Sequence, residues 1–189
     1  DIEINYYVKV NFTSVINIVD AIGGVTFDVP IDMDYDDEGQ ELAIHLKAGE
    51  QLIDGAKAEQ LLRFRHNNNG STYPASYGME DLGRMKTQRN FITATLKQVL
   101  KVQNIFKLKQ IIDIMNEDVK TNMDLASLKA YIPAAVEFNA DNIQTDMVPG
   151  TTELCNGVSI YLANKTETKK VVDRLFNSDD VSNEETDNK

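Results

Sequence analysis

The sequence contains one cysteine, two histidines and no tryptophan in 189 residues. One cysteine excludes an internal disulfide framework and a thiolate metal cage, and two widely separated histidines predict no zinc site. No apolar run approaches the roughly 20 residues that a membrane-spanning helix needs. The net charge of −11 argues against nucleic acid as a partner, because phosphate backbones require a broad basic face.

The composition is that of an ordinary globular protein. It is 42% hydrophobic and 26% charged, which excludes wholesale disorder, and the length fits one domain of roughly 100–200 residues. Strand-like and helix-like patterns alternate, which predicts the α/β class. We predict one domain over residues 1–177 and a solvated acidic tail over 178–189, where Ser, Asn, Asp and Glu dominate.

Apolar periodicity and capping residues predict the individual elements. Strands are expected over 1–10, 25–29, 42–46 and 143–148. Helices are expected over 12–22, 56–62, 80–102, 105–115, 125–138 and 166–176, and the helix over 125–138 is expected to bend or break near Pro133. The expected helix caps are Asn11, Asp54 and Asp124, and Gly23-Gly24 is expected to end the first helix. The predicted loops and turns are an acidic loop over 32–39, a turn over 49–55, a polar loop over 67–78 and a turn at Pro149-Gly150.

Arginine is scarce in this chain, and it is clustered. Four of the five arginines, Arg63, Arg65, Arg84 and Arg89, lie within residues 61–90, and that window carries a net charge of +3. The guanidinium fork matches a phosphate bidentately, so the cluster indicates a site for a phosphorylated anion. Pairing with nearby carboxylates on a solvated surface is the alternative, and the pattern alone leaves both interpretations open.

Spacing places these side chains on two common faces. In extended backbone, Arg63 and Arg65 would lie on the same side while Phe64 turns into the core.

The second face belongs to a helix. Asp81, Arg84 and Gln88 stand at i, i+3 and i+7 and would form one polar stripe at its start, where free N–H groups and the dipole attract anions. The apolar residues of the same helix are expected on other, buried faces: Leu82, Met85, Ile92, Leu96 and Val99.

Four blocks of sequence carry a family resemblance. They are residues 10–25 continued by Asp28-Val-Pro30, residues 46–55, residues 58–66 ending in Arg-Phe-Arg-His, and Asp-Leu-Gly-Arg-Met-Lys-Thr-Gln-Arg over 81–89. In order and spacing they resemble the LytR-CpsA-Psr family of cell-envelope proteins. The similarity is diffuse but continuous to about Phe176.

The resemblance implies a fold, a ligand and a reaction. The fold would be an α/β/α sandwich with a central mixed sheet. It would hold a polyprenyl pyrophosphate, with the tail in a hydrophobic tunnel and the head group on an arginine cluster. Family members attach glycopolymers such as teichoic acid or capsule to peptidoglycan, outside the membrane of Gram-positive bacteria and usually with Mg²⁺. The implied partners are therefore a polyprenyl-pyrophosphate-linked glycan and a peptidoglycan acceptor.

The family's functional residues carry over to five positions. Arg63 and Arg65 match the paired arginines that grip the pyrophosphate. Asp81, Arg84 and Gln88 match the Asp-x-Gly-Arg-x-x-x-Gln segment, in which Arg84 and Gln88 face the phosphates and Asp81 is an orienting or acid/base group. The implied catalytic residues are Asp81 and Arg84.

The chain also departs from the family pattern. The segment that carries the family's metal-binding Asp and a further phosphate-binding Arg has no counterpart, so we expect that segment, the first strands of the sheet and a membrane anchor to lie upstream. We therefore expect no metal ligand in these residues and little or no transfer by the chain alone. We also expect another copy, another chain or an altered packing to cover the apolar face of residues 1–10.

The remaining candidates are weaker. An EF-hand loop starting at Asp32 would need Gly at position 37 and Glu at position 43, and the chain has neither. His45 is expected on a surface and Cys155 in a small buried position, while His66, next to the arginine pair, fits packing or proton transfer equally. The tunnel lining that the resemblance implies would come from residues that the pattern itself assigns to the core: Leu96, Val99, Ile105, Leu108, Ile111, Ile112 and Met115.

The residues and the resemblance together predict a cell-envelope phosphotransferase. A peptidoglycan hydroxyl would attack the phosphorus that carries the glycan, and polyprenyl phosphate would leave. A non-catalytic polyprenyl-phosphate binding protein is the alternative. Transcriptional attenuation, an old label for the family, fits less well, because the chain is acidic and shows no recognition-helix pattern.

Overall fold

The computed structural model describes residues 2–101, 107, 110–111, 113–114, 119–131 and 144–176. The helices are α1 (Phe12–Ile22), α2 (Gly55–Arg63), α3 (Glu80–Val99), α4 (Leu125–Ala130) and α5 (Lys165–Phe176). The strands are β1 (Val8–Lys9), β2 (Val25–Val29), β3 (Met33–Asp37), β4 (Leu42–Leu46), β5 (Gly49–Ile53), β6 (Lys120–Thr121), β7 (Gly150–Cys155) and β8 (Val158–Ala163). The predicted α/β class is confirmed.

The chain forms two compact units, one over residues 4–143 and one over 144–189 together with residues 1–3. The first contains α1 to α4 and β1 to β6, and the second contains β7, β8 and α5. The predicted boundary between a domain over 1–177 and a tail over 178–189 falls outside the described residues and stays a prediction.

The described strands pair two by two. The pairs are β1 with β6, β2 with β5, β3 with β4, and β7 with β8, and each is antiparallel. Within the described ranges no parallel pair of a mixed sheet occurs.

The first two helices form where local signals predict them. The Asn11 side chain accepts a hydrogen bond from the Ser14 N–H at 2.7 Å and caps α1. Gly23 ends the helix in the left-handed region at φ 84°, a conformation that favours glycine. Asp54 caps α2 in the same way, because its side chain accepts from the Lys57 N–H at 2.9 Å.

The predicted strand over residues 1–10 is wrong in extent. Only Val8 and Lys9 pair, with Thr121 and Lys120, and the alternating apolar side chains stay exposed. Alternation indicates which side chains share a face, but a strand also needs a partner, and β6 supplies only two residues.

Two segments predicted as irregular are strands. Residues 33–37, expected within an acidic loop, form β3 and alternate between buried Met33 and exposed Asp34. Residues 49–53, expected as a turn, form β5 and pair with all five residues of β2. Acidic residues and glycine disfavour strands, but long-range pairing with an apolar neighbour overrides that preference.

The structure of the second unit differs from the predicted one at three places. A strand is predicted over 143–148, but residues 144–149 have no regular structure, and Gly150 begins β7 instead of closing a turn. Asn156 and Gly157, both at positive φ, form the two-residue turn of the β7–β8 hairpin, which an Asn-Gly pair favours. Cys155, predicted as buried, ends β7 and is exposed.

The hydrophobic core lies in the first unit, between α1, α2, α3 and the strands β2 to β5. Its buried side chains are those of Val19, Ile22, Val25, Val29, Met33, Ile44, Leu46, Ile53, Ala58, Leu61, Leu62, Phe64, Tyr73, Phe91 and Ile111. The Phe27 ring meets Phe91 edge to face at 5.3 Å between centroids, which joins β2 to α3.

The buried face of α3 differs from the predicted one. Gly83, Thr87 and Phe91 are buried at i, i+4 and i+8, whereas the predicted apolar residues Met85, Ile92 and Leu96 are exposed. The loop over 67–78 packs its tyrosines against this helix, and the loop's position selects the buried face.

The same loop is fastened to β3. The side-chain oxygens of Asn67 and Asn68 each accept a hydrogen bond at 2.6 Å, from the backbone N–H groups of Asp34 and Asp36. The Asn68 amide also donates to the Asp36 carbonyl at 3.1 Å. The asparagine side chains thus satisfy an edge of β3 that β4 leaves open.

Some predictions lie outside the described residues. They include most of the helix over 105–115, the part of the helix over 125–138 beyond α4, and the bend at Pro133. The Asp124 cap is confirmed, because its carboxylate accepts from the Ser127 N–H at 2.7 Å. Among the described residues, no helix combines the length and apolar character needed to cross a membrane.

Candidate functional site

The four predicted phosphate-binding side chains line one cavity of about 750 Å³ in the first unit. Arg63, Arg65, Arg84 and Gln88 come from the end of α2, the segment after it, and the first half of α3. The described residues that line it are Phe12, Tyr35, Gln40, Leu42, Leu62, Arg63, Arg65, His66, Arg84 and Gln88.

Arg63 is the last residue of α2 and is held from three sides. Its guanidinium donates to the Glu59 carboxylate at 3.0 Å and to the Gln40 side-chain oxygen at 3.4 Å. Its Cζ also lies 5.9 Å from the centroid of the Phe12 ring, within cation–π range. These contacts fix Arg63 without burying its charge, since 23% of the side chain is exposed.

Arg65 reaches the same cavity because Phe64 is anchored between the two arginines. Phe64 is extended at φ −60° and ψ 134° and fully buried, so the expected turn of this ring into the core is confirmed. The Arg65 guanidinium donates to Glu80 at 3.2 Å. The Thr72 hydroxyl donates to the Arg65 carbonyl at 2.6 Å and accepts from the Glu80 N–H at 3.1 Å, which ties this segment to the start of α3.

The polar stripe on α3 contributes two lining residues. Arg84 lines the cavity and pairs with Asp81, which itself is not among the lining residues. Gln88, one turn further along, donates its amide N–H to the Leu62 carbonyl at 2.8 Å. Gln88 therefore satisfies a carbonyl at the end of α2 and joins the two helices that supply the arginines.

The cavity is electrostatically suited to an anion. Its described lining contains three guanidinium groups and no carboxylate. Each arginine pairs with one acid beside the cavity, and all three pairs are partly exposed. Exposed pairs contribute little free energy, so an incoming phosphate can compete for the same donors.

An apolar groove of about 390 Å³ adjoins the cavity. Phe12, Leu62 and Gln88 line both, and the groove continues along α1 and α3. Its lining is Val10, Asn11, Phe12, Val15, Leu62, Gln88 and Ile92. A charged cavity joined to an apolar groove fits a ligand that has an anionic head and a hydrocarbon tail.

The expected tunnel residues are only partly described. Leu96 is exposed, Val99 packs against the core, and Ile111 belongs to the core. None of these three lines the groove. The other four expected tunnel residues, Ile105, Leu108, Ile112 and Met115, lie outside the described residues.

Five lining residues were not predicted for the site from the sequence, and they are Phe12, Tyr35, Gln40, Leu42 and Leu62. Phe12 begins α1, Tyr35 lies on β3, and Gln40 follows β3 in a single 3-10 turn. The alternation of Met33 and Tyr35 with aspartates was the available signal for β3. Tyr35 and Gln40 lie beside the arginines because β3 pairs with β4, and Phe12 does so because α1 packs against α2. No local pattern encodes either contact.

Two pKa values beside the cavity are shifted. Burial, followed by the Asp37 charge, raises the pKa of Tyr35, whose hydroxyl donates to Asp37 at 3.2 Å. A hydrogen bond from the Gln40 amide at 2.6 Å holds the pKa of Asp37 below its ordinary value. Asp37 therefore stays ionised and orients Gln40, whose oxygen meets Arg63.

The described residues do not fit Mg²⁺ at the cavity. The lining offers no carboxylate ligand, and Glu59, Glu80 and Asp81 each pair with an arginine. Elsewhere, Asp34, Asp36 and His45 lie close enough to share an ion, but all three are exposed and the imidazole pairs with both carboxylates. Participation of magnesium through an upstream ligand stays a prediction.

The chain matches one protein family and several curated proteins. The model of the LytR_cpsA_psr family matches residues 1–177. The chain is 27% identical over 181 residues to Biofilm regulatory protein A of Streptococcus mutans, covering 93% of the chain and 41% of that protein. It is 24% identical over 179 residues to the polyisoprenyl-teichoic acid–peptidoglycan teichoic acid transferase TagU of Enterococcus faecalis, covering 94% of the chain and 53% of that protein.

A solved structure shows the same fold. The crystal structure of Bacillus subtilis TagV superposes with a TM-score of 0.69 at 25% identity, covering 90% of this chain and 62% of that one. This chain therefore spans about half the length, or less, of the two curated relatives named above. Because the family model matches nearly the whole length of this chain, the chain belongs to the LytR_cpsA_psr family.

Proposed function

We propose that this chain is part of a cell-envelope phosphotransferase that attaches a polyprenyl-pyrophosphate-linked glycopolymer to peptidoglycan. The observation that carries the proposal is the cavity with three arginines, which shares Phe12, Leu62 and Gln88 with an apolar groove. Relatives named as teichoic acid transferases support the reaction class. The setting would be the extracytoplasmic face of a Gram-positive cell membrane.

The arginines would bind and orient the pyrophosphate. Arg63, Arg65 and Arg84 come from two helices and the segment between them, so their guanidinium groups can reach a diphosphate from more than one side. Arg donors held before the ligand arrives stabilise charge that moves between phosphate oxygens during transfer. Asp81 would orient Arg84, and Gln88 would hold the end of α2 in register with α3.

The apolar groove would take the first units of the polyprenyl chain. Phe12 lies at the junction, since it lines both spaces and its ring faces the Arg63 guanidinium. One face of this ring can therefore contact a cation while the side chain borders hydrocarbon. The head group and tail of one lipid would meet at this residue.

Positioning is the main contribution of these residues to the reaction. A peptidoglycan hydroxyl would attack the phosphorus that carries the glycan, and polyprenyl phosphate would leave from the groove side. The described cavity residues do not fit Mg²⁺, so no step of the reaction is assigned to a metal ion. The described lining also contains no carboxylate, which favours the second candidate for the chain in isolation: binding of the lipid without transfer.

Isothermal titration with geranyl pyrophosphate tests the binding part of the proposal. Arg63→Ala, Arg65→Ala and Arg84→Ala should each weaken binding by roughly 10- to 150-fold, since a lost charged hydrogen bond is worth about 1.5–3 kcal/mol. Arg174→Ala is the matched control, because Arg174 lies on α5 and pairs with Asp146. Equal losses in all four variants, or no binding by the unmodified chain, would contradict the proposal.

A transfer assay separates the two candidates. The chain and a longer protein that contains it would each receive a prenyl-pyrophosphate-linked disaccharide and soluble peptidoglycan. Release of prenyl phosphate with sugar joined to peptidoglycan supports the transferase. Tight binding without release in both would support the binding protein.

A further inference from the structure

His66 adds a hydrogen-bond acceptor to a cavity whose charged groups are all donors. The ring lines the cavity, and its Nδ1 lies 3.1 Å from the carbonyl oxygen of Asn67. A carbonyl oxygen can only accept, so in the neutral ring Nδ1 carries the hydrogen and Nε2 carries the lone pair. No described residue forms a hydrogen bond with Nε2.

The orientation of this ring is set by the fold. Tyr35 packs edge to face against it at 5.2 Å between centroids. His66 forms a β-bridge with Thr72, and the next N–H, that of Asn67, donates to the Ser71 carbonyl at 2.8 Å. The Asn67 side chain is in turn bonded to β3. The Asn67 carbonyl, which places the hydrogen of the His66 ring on Nδ1, is therefore held in position by the fold before any ligand binds.

An acceptor nitrogen is complementary to a different group from the one the arginines bind. Phosphate oxygens accept hydrogen bonds and match guanidinium donors, whereas a lone pair on Nε2 would repel them. A hydroxyl, by contrast, needs an acceptor for its proton. The cavity thus presents donors for an anion and, on the wall formed by Tyr35 and His66, an acceptor for an alcohol.

We propose that Nε2 of His66 binds the attacking sugar hydroxyl of the acceptor and takes its proton. This inference rests on the proposed function. The hydroxyl oxygen forms a bond to the phosphorus that carries the glycan, and the O–H proton moves to Nε2. The bond from that phosphorus to the bridging oxygen breaks, its electron pair stays on the departing prenyl phosphate, and the imidazolium then returns its proton to that phosphate or to water.

The second histidine of the chain is a built-in control. His45 has both ring nitrogens engaged, Nδ1 with Asp34 at 2.9 Å and Nε2 with Asp36 at 3.2 Å. It lies on β4 and is not among the lining residues. Since the chain has two histidines, labelled histidine gives two sets of signals, and one set reports a ring outside the cavity.

Long-range ¹H–¹⁵N NMR on the chain labelled with [¹⁵N]histidine tests the inference. At pH 8, His66 should show a protonated Nδ1 and an unprotonated Nε2. With the chain saturated by geranyl pyrophosphate, titration with the peptidoglycan disaccharide should then move the Nε2 resonance of His66 and leave both His45 resonances in place.

A matched variant measures the contribution of the nitrogen. His66→Phe keeps a ring against Tyr35 but removes the acceptor, so disaccharide affinity should fall roughly threefold to tenfold, as expected for one neutral hydrogen bond. Affinity for geranyl pyrophosphate should change by a smaller factor than disaccharide affinity, and His66→Gln, which restores an acceptor, should recover part of the loss of disaccharide affinity. Where a variant does not fold, the spectra of the unmodified chain decide.

The outcomes separate this inference from the function on which it rests. A protonated Nε2 with a bare Nδ1, or equal disaccharide affinity in His66→Phe, overturns the role of His66 while geranyl pyrophosphate binding still supports the proposed function. Failure of the unmodified chain to bind geranyl pyrophosphate overturns both.

Discussion

The ring of Tyr73 packs directly onto the α-carbon of Gly83. A Cβ at Gly83 would overlap Cδ2 and Cγ of that ring and the carbonyl oxygen of Gly78. Tyr73 is 1% exposed and stacks on Tyr77 at 5.3 Å between centroids. The loop over 67–78 therefore rests on the first turns of α3, next to Arg84, and the packing requires a residue without a side chain at position 83.

Gly83→Ala should destabilise the protein although alanine favours helices. In an open helix the change would add about 1 kcal/mol of stability. Here the added methyl meets a backbone carbonyl and a buried ring, and overpacking of this kind costs roughly 1–3 kcal/mol. We expect a lower free energy of unfolding in urea, followed by circular dichroism, and weaker geranyl pyrophosphate binding because Arg84 is displaced.

The control for this prediction lies on the same helix. Asn90 is exposed on α3, so Asn90→Ala should leave stability unchanged or raise it slightly. A Gly83→Ala variant as stable as the Asn90→Ala variant would show that Tyr73 can move away at little cost.

Asp37 should make stability depend on pH in the acid range. Its carboxylate accepts from the Gln40 side chain at 2.6 Å, from the Gln40 N–H at 3.1 Å and from the Tyr35 hydroxyl at 3.2 Å. The Gln40 amide is the main cause of its lowered pKa. The unfolded chain therefore binds the proton more readily, so this stabilisation is present above about pH 4 and is lost as the pH falls through the lower folded-state pKa.

The variant Asp37→Asn tests this dependence of stability on pH. The variant should be less stable than the unmodified protein in urea at pH 7, and the gap should narrow as the pH falls below about 4. Glu38→Gln, a change at the next and exposed acid, serves as the control. A gap of constant size from pH 7 to pH 3 would mean that the hydrogen bonds of Asp37 do not depend on its charge.

Cys155 should react readily with a thiol reagent in the folded protein. It is exposed at the end of β7, next to the Asn156-Gly157 turn. We expect one thiol per chain to react with 5,5′-dithiobis(2-nitrobenzoic acid), at nearly the same rate in buffer and in about 8 M urea. Urea at about 8 M unfolds most domains, so the second rate is that of the unfolded chain. Reaction that is much slower in buffer than in urea would show that the thiol is covered in solution.

Local signals in the sequence determined the helices and the arginine cluster. Asn11 and Gly23 bound α1 through a cap and a left-handed glycine, which act within one turn of the chain. The i, i+3, i+7 stripe on α3 likewise depends on near neighbours along one helix. Such features follow from the sequence because every interacting group lies within a few residues.

Tertiary structure alone decided which strands form and which helix face is buried. The segments of β3 and β5 have acidic or turn-like composition, but pairing with β4 and β2 makes them strands. The face of α3 that carries Gly83 is buried because Tyr73, ten residues earlier in the chain, packs on it.

The same distinction holds within the cavity. The sequence predicted its arginines, whereas Phe12, Tyr35 and Gln40 reach it only through long-range packing. The acceptor nitrogen of His66 likewise depends on the backbone carbonyl of Asn67, in a loop that hydrogen bonds to β3 hold in place. Pairing and burial are properties of two distant segments together, so neither segment encodes them by itself.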